Sequence, residues 1–450
     1  MNTPIRDFVR AYAASDAVRA HMPGHKGAPL LGCEPWDITE IDGADDLSAP
    51  HGIIAESEAN AGRLFGATTL YSAEGSSLCV RAMLFLAAQR HTAAAGSGAR
   101  PLIVAGRNAH KTFINACALI DMDVRWLHPR AGDAYHACTV TAADVAAALA
   151  DGRPCAVYLT SPDYLGSLAD IPAVAAVCRA RGVPLLVDNA HGAYLKFLPG
   201  GSRHPIDLGA DLCCDSAHKT LPALTGAAYL HIRRDDGYGF ASGARAALGL
   251  FASTSPSYLI LQSLDAVNPL LEGLPERLAA FIPLLDALKA RLRERGWALR
   301  GEEPLKLTLD PRPYGFTGDA LAAMLAARNI VCEFHDPDAL VLMLTPENGA
   351  AALERIEAAL LAVERRTPLV CEAPAYHPLE QVLSPRAARF AASESVPAAR
   401  CAGRVLAAAN VSCPPAVPIA MCGERLDEAA ALRMVYYGVE RCDVVKSNER

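Results

Sequence analysis

From residue 61 to about 270, short apolar runs alternate with helical stretches, and this rhythm constrains the fold more than any other feature of the chain. Cys155 to Leu159, Val183 to Val187, Ala210 to Cys214 and Ala227 to His231 read as buried strands. Ile171 to Arg181 reads as a helix, with Gly182 as its stop signal. Strands that alternate with helices predict a mostly parallel sheet covered by helices, because a parallel connection needs a crossover element. Ligands of such sheets bind outside the carboxyl ends of the strands. The chemistry is therefore to be sought where the apolar runs stop.

One run delivers Ser216-Ala217-His218-Lys219-Thr220-Leu221-Pro222-Ala223 to that end. A lysine held there can lose its proton and attack a carbonyl, so it can form a Schiff base with an aldehyde cofactor. A second run ends in Asp188-Asn189-Ala190-His191-Gly192. Lysine and aspartate together are what pyridoxal phosphate needs: one for its aldehyde, the other for its pyridine nitrogen. A nearby carboxylate raises the pKa of a cation by about 1–3, equivalent to about 1.4–4 kcal/mol, enough to keep a pyridinium protonated at neutral pH. Tyr71-Ser72-Ala73-Glu74-Gly75-Ser76-Ser77 precedes a buried helical stretch, Leu78 to Ala87, and supplies a third corner. Gly75 lets the backbone approach an anion, and the helix N-terminus favours negative charge. Taken singly, the three have ordinary readings as a surface lysine, a capping aspartate and a Ser-capped helix.

Further segments carry a family resemblance. They are His21-Met22-Pro23-Gly24-His25-Lys26-Gly27, the stretch from Asp37 to Leu47, and Gly106-Arg107-Asn108-Ala109-His110-Lys111-Thr112. Thr160 to Gly166, Ser253-Thr254-Ser255-Pro256 and Cys413-Pro414-Pro415-Ala416-Val417-Pro418 complete them. With the lysine and aspartate segments, the chain resembles the Orn/Lys/Arg decarboxylase family of pyridoxal-phosphate enzymes, in its short form without an N-terminal wing. The resemblance implies the α/β fold of the aspartate aminotransferase superfamily (fold type I), with a smaller α+β domain after the large one. It implies that Lys219 is the Schiff-base lysine and that Asp188 pairs with the pyridine nitrogen. His110 would lie against the ring and His191 near it. Gly75, Ser76 and Ser77 would cradle the phosphate, helped by Ser216 and His218. Ser255 would reach the phosphate of a neighbouring subunit, in a homodimer or larger homo-oligomer with a shared site. Lys219 or His218 would return a proton to the substrate. Glu74 stands where many relatives have a neutral amide, Asn189 where they often have an acid, and Ala416 where they have glycine.

The implied reaction is α-decarboxylation of a basic amino acid, with arginine to agmatine preferred over lysine to cadaverine or ornithine to putrescine. The alternatives are another fold type I enzyme, such as an aminotransferase, or a silent regulatory paralogue. An acidic residue should receive the substrate's distal cation, since a buried charge needs a partner. Glu40, Asp42, Asp45, Asp46 and Glu424 are candidates.

Composition fits this reading. With 450 residues, 52% of them apolar, the chain can bury a large core. A formal charge of −7 gives no reason to expect a nucleic acid partner. Fourteen scattered cysteines without a Cys-x-x-Cys pair suggest neither a zinc nor a redox motif, and point to free thiols in a reducing, cytoplasmic setting. No apolar run approaches about 18 residues, so no membrane helix is expected. Arg6 and Asp7 argue against a secretory signal. His21 and His25 have a metal-binding spacing, but Pro23 and Gly24 break any helix between them, so no metal is expected. Four parts are expected: an N-terminal arm (1–60), a cofactor-binding large domain (61–270), a small α/β domain (271–366) and the family's C-terminal domain (367–450).

Overall fold

The computed structural model describes all residues except 97, 99, 131–137, 371–374, 412–416 and 448–450. The Cys413-Pro414-Pro415-Ala416 motif lies outside the described residues. In chain order the first elements are α1 (Pro4–Ala13), α2 (Ile53–Phe65), β1 (Thr68–Ser72), α3 (Gly75–Ala95), β2 (Leu102–Gly106), α4 (Lys111–Leu119) and β3 (Asp123–Leu127). They are followed by α5 (Ala142–Ala148), β4 (Ala156–Thr160), α6 (Ile171–Arg181), β5 (Leu185–Asp188), α7 (Pro205–Leu208), β6 (Leu212–Asp215), α8 (Ala217–Thr220) and β7 (Ala228–Ile232). Helices α9 (Phe240–Phe251), α10 (Tyr258–Glu272) and α11 (Leu274–Arg295) lead to strands β8 (Ala298–Arg300), β9 (Lys306–Asp310), β10 (Phe334–His335) and β11 (Leu340–Met343). The chain is an α/β protein that divides into two compact units, Met1–Arg90 with Pro184–Leu278, and His91–Val183 with Ala279–Arg450.

In the first unit the strand order is β1-β7-β6-β5. All four residues of β5 and all four of β6 are buried, as expected for continuous apolar runs in a sheet covered on both faces. They pair in parallel, with Asp188 opposite Cys214. Strand β7 departs from the parallel pattern and runs antiparallel to both β1 and β6. The physical reason is the connection: between β6 and β7 there is only the four-residue helix α8, too little for a crossover helix. The unit's aromatic core gathers around Phe65, whose ring centroid lies 5.3 Å from that of Phe197 and 5.2 Å from that of Tyr229.

In the second unit β4, β2 and β3 pair in parallel. Helix α6 covers the residues read as helical in the sequence and has ordinary causes at both ends. The Asp170 side chain accepts the Ala173 N–H, Pro172 needs no donor in the first turn, and Gly182 closes the helix at φ +64°. A separate antiparallel sheet has the order β10-β11-β9-β8. Toward the C-terminal end, buried residues between Tyr376 and Val444 form a further core, built on Leu406, Val411, Ile419, Met434 and Val444. Among the described residues no helix is long and apolar enough to cross a membrane.

The turn Met421-Cys422-Gly423-Glu424 depends on its glycine. Gly423 has φ +89°, and a Cβ there would collide with the Leu383 carbonyl. Its own carbonyl accepts the Val382 and Leu383 N–H groups at 3.0 and 3.1 Å. Gly423→Ala is expected to lower the unfolding free energy by more than about 1 kcal/mol. A urea midpoint equal to that of the wild type would contradict this.

Candidate active site

The carboxyl ends of β5 and β6 supply most of the candidate side chains of the first unit. Beyond β6 the chain turns through Ser216 into α8, which carries His218 and Lys219. The Lys219 Nζ lies 3.0 Å from Nε2 of His191, on the loop after β5. His218 donates from Nδ1 to the Ala227 carbonyl at 3.0 Å, which leaves Nε2 as its other functional atom. Asp188 is buried, and its Oδ1 accepts the Ala190 N–H at 3.1 Å and the Cys214 thiol at 3.7 Å. The ordinary reading of Asp188 as a helix N-cap does not hold, since the next helical turn is preceded by Gly192.

The Gly-Ser-Ser segment forms the start of α3. Gly75 has φ +74°, its N–H donates to the Gly226 carbonyl at 2.7 Å, and a Cβ built there meets nothing within 4 Å. Open space thus lies before the N-terminus of a 21-residue helix, where amide N–H groups and the helix dipole favour an anion. Ser216 Oγ donates to Ser76 Oγ at 2.8 Å and ties the lysine segment to this cradle. A lysine, a buried carboxylate and an anion cradle in one unit fit pyridoxal phosphate.

Glu74, next to the cradle, turns to another partner: its carboxylate accepts the Ser253 N–H at 2.6 Å. Ser255 lies in that same loop, its N–H donating to Ser253 Oγ at 3.1 Å.

His110 belongs to the second unit. It caps α4, its Nδ1 accepting the Thr112 N–H at 3.3 Å, and it is exposed. The same unit holds an ion pair that sequence reasoning missed. Arg107, 0% exposed, grips Glu424, 1% exposed, through two parallel bonds of 2.6 and 2.7 Å. The Met421 N–H adds a third bond to that carboxylate at 2.8 Å, and the guanidinium lies 5.3 Å from the centre of the Trp126 ring. Glu424 is thereby engaged inside the protein and drops out as a receiver of a substrate cation.

Asp45 drops out in the same way. Its carboxylate accepts N–H groups from His51, Gly52 and Ile54 at 2.8 to 3.0 Å. Burial opposes its charge, but the bonds from His51, Asp46 and Gly52 outweigh it and hold the carboxyl below the ordinary aspartate value. Glu40 and Asp46, by contrast, line a cavity of about 370 Å³ together with Ser253, Thr254 and Pro256.

Among solved structures the chain is similar to the lysine decarboxylase LdcF of Francisella novicida, with a TM-score of 0.78 over 99% of this chain and 81% of that one, at 17% identity. This likeness defines the class: the fold is that of the fold type I pyridoxal-phosphate enzymes. The family model for Orn/Lys/Arg decarboxylase, major domain, matches residues 3–308, and the chain belongs to that family. It is 28% identical to an arginine decarboxylase of Halalkalibacterium halodurans, over 95% of this chain and 91% of that protein. It is 27% identical to an arginine decarboxylase of Bacillus subtilis, with the same shares covered. The protein is a decarboxylase of basic amino acids, in a family whose members depend on pyridoxal phosphate.

Arg107→Ala would leave the Glu424 charge buried without its cation, so a loss of about 3–5 kcal/mol in stability is expected. Denaturant unfolding checks it, and Arg107→Ala with Glu424→Ala should recover part of the loss. Equal stability of Arg107→Ala and wild type would rule out the pair as a structural lock.

Proposed function

We propose that this protein binds pyridoxal phosphate through Lys219 and converts arginine to agmatine. The observation that carries the first part is the Lys219 amine held 3.0 Å from His191 Nε2, in the same unit as buried Asp188 and the Gly75 cradle. Support for arginine comes from relatives named arginine decarboxylase at 25–28% identity over more than nine-tenths of the chain.

When bound, pyridoxal phosphate supplies a carbonyl for the substrate amine and a ring that takes up electrons as carbon dioxide leaves. The residues do the rest. Lys219 holds the cofactor covalently between turnovers. His191 Nε2 can accept a proton from the lysine and return it, since the two atoms are already at hydrogen-bond distance. Asp188, buried at the end of β5, keeps the pyridine nitrogen protonated. Gly75, Ser76, Ser77, Ser216 and His218 hold the phosphate. Lys219 or His218 returns a proton to the substrate Cα after the carboxylate has gone. By the family resemblance His110 would lie against the ring, and Ser255 would serve the phosphate of a neighbouring subunit in a cytoplasmic homodimer. Residues 367–450 act as the family's C-terminal domain. Glu40 and Asp46 receive the guanidinium, because both line the cavity beside Ser253 and Thr254, while Asp45 and Glu424 are committed elsewhere.

Borohydride reduction of the cofactor-loaded protein, followed by peptide mapping, tests the lysine: the cofactor's mass should be found on Lys219. Lys219→Ala should lose the visible absorbance of lysine-bound cofactor together with activity. A tag on another lysine, or activity in Lys219→Ala, would refute the assignment. Glu40→Gln and Asp46→Asn should each raise KM for arginine by about tenfold or more, as expected when a charge-assisted bond of about 1.5–3 kcal/mol is lost, with a smaller change in kcat. An unchanged KM in both variants would remove these acids from the substrate site.

A further inference from the structure

The first unit contains a buried anion for which the chemistry above has no use. Asp215, the last residue of β6, is fully buried, as are His204 and His231 beside it. Three donors converge on its carboxylate. His204 Nε2 is 3.0 Å and His231 Nε2 is 3.1 Å from Oδ2, while the Asn189 amide donates to Oδ1 at 2.6 Å. The outer ring nitrogens fix the protons. Ile206 N–H donates to His204 Nδ1 at 3.4 Å, which leaves the proton of a neutral ring on Nε2. His231 Nδ1 lies 2.9 Å from Thr69 Oγ1, whose hydroxyl can donate to it in the same way. Both rings can therefore be neutral donors around a single negative charge.

The surroundings make this costly to disturb. The Phe65 ring centroid is 5.6 Å from that of His204 and 4.4 Å from that of His231. Burial opposes the Asp215 charge, but the two histidines outweigh it and hold the carboxyl well below the ordinary aspartate value. Burial likewise lowers His231 and favours its neutral ring. The ligand atoms of His204, Asp215 and His231 all lie within 4.8 Å of one another, close enough to hold a metal ion. The Ile206 N–H argues against that use, since a metal on Nε2 would require a proton on Nδ1, pointing at another donor.

The cluster reaches the candidate site on two sides. Asn189 directly follows Asp188, and its N–H donates to the Cys214 carbonyl at 3.0 Å. Ser216 directly follows Asp215 and bonds the cradle at Ser76. We propose that Asp215 is a positioning residue, which locks the turn carrying Asp188 against the segment carrying Ser216 and Lys219 and so sets how the carboxylate and the lysine meet the cofactor. This rests on the reading of Asp188 and Lys219 as cofactor residues. It also accounts for Asn189 in place of an acid: a carboxylate there would face Asp215 Oδ1 at 2.6 Å, whereas an amide donates to it.

A reciprocal exchange tests the proposal. In Asp215→Asn with Asn189→Asp, the new carboxylate can accept from the new amide, whose oxygen still accepts from both histidines. The readouts are the pyridoxal-phosphate dissociation constant and the induced circular dichroism of the lysine-bound cofactor band, which reports ring orientation. Metal content and the melting temperature of the cofactor-free protein are followed alongside. Each single variant is expected to bind the cofactor about tenfold more weakly, the coupling of roughly 1.4 kcal/mol typical of contacting polar groups, and to show altered dichroism. The double variant should recover most of both. If Asn189→Asp does not fold, the double must still bind more tightly than Asp215→Asn. A wild type that loads cofactor while the variants bind like it, or a double no better than Asp215→Asn, would overturn the proposal alone. So would one equivalent of metal per chain that disappears in Asp215→Asn. A wild type with no lysine-bound cofactor would overturn the underlying reading of Lys219, and the proposal with it.

Discussion

The parallel pairing of β5 with β6 is the constraint on which the candidate site depends. Its register sets Leu186 opposite Leu212, Val187 opposite Cys213 and Asp188 opposite Cys214. Because the strands run the same way, both carboxyl ends emerge at one edge, and the residues that follow them share a neighbourhood. A shift by one residue would reverse which side chains face each way along β6, turning Asp215 from its histidines. The apolar burial of both strands resists such a slip, since each fully buried leucine or valine contributes about 1.5–3 kcal/mol.

The same burial keeps competing chemistry quiet. Cys79 and Cys214 lie near Asp188 and Asp215, and burial is the leading influence on both thiols. It pushes Cys79 up to about 12 and Cys214 well above the ordinary thiol value, with the two carboxylates adding to the effect. A protonated thiol is a poor nucleophile. Lys219 therefore has no thiolate rival from these two cysteines for an aldehyde.

Much of the first unit was legible in the sequence because the relevant signals are local. Continuous apolar runs marked β5 and β6, and Gly182 marked the end of α6, while the Asp170 cap at its start shows only in the structure. The direction of β7 was not legible, because it is set by the length of a connection rather than by the strand's own residues. Strand β1, Thr-Thr-Leu-Tyr-Ser, is too polar to announce itself and is defined by its pairing with β7. Long-range polar partners were the least legible of all. Nothing near Glu424 reveals that its cation is Arg107, 317 positions away, and nothing near Asp215 reveals His231 or Asn189. Glu424 stood among the candidates for the substrate cation for this reason, and so did Asp45, whose ordinary reading as a loop or capping acid fits its backbone N–H partners a few residues on.

The central claim is a reaction, and its products test it most directly. Purified, cofactor-loaded protein would be given arginine, lysine and ornithine in parallel, with amine and carbon dioxide measured in each. Agmatine and carbon dioxide in equal amounts from arginine, well above the turnover of the other two, is the expected result. Carbon dioxide from none of the three, in protein whose visible absorbance shows the cofactor on Lys219, would contradict the account.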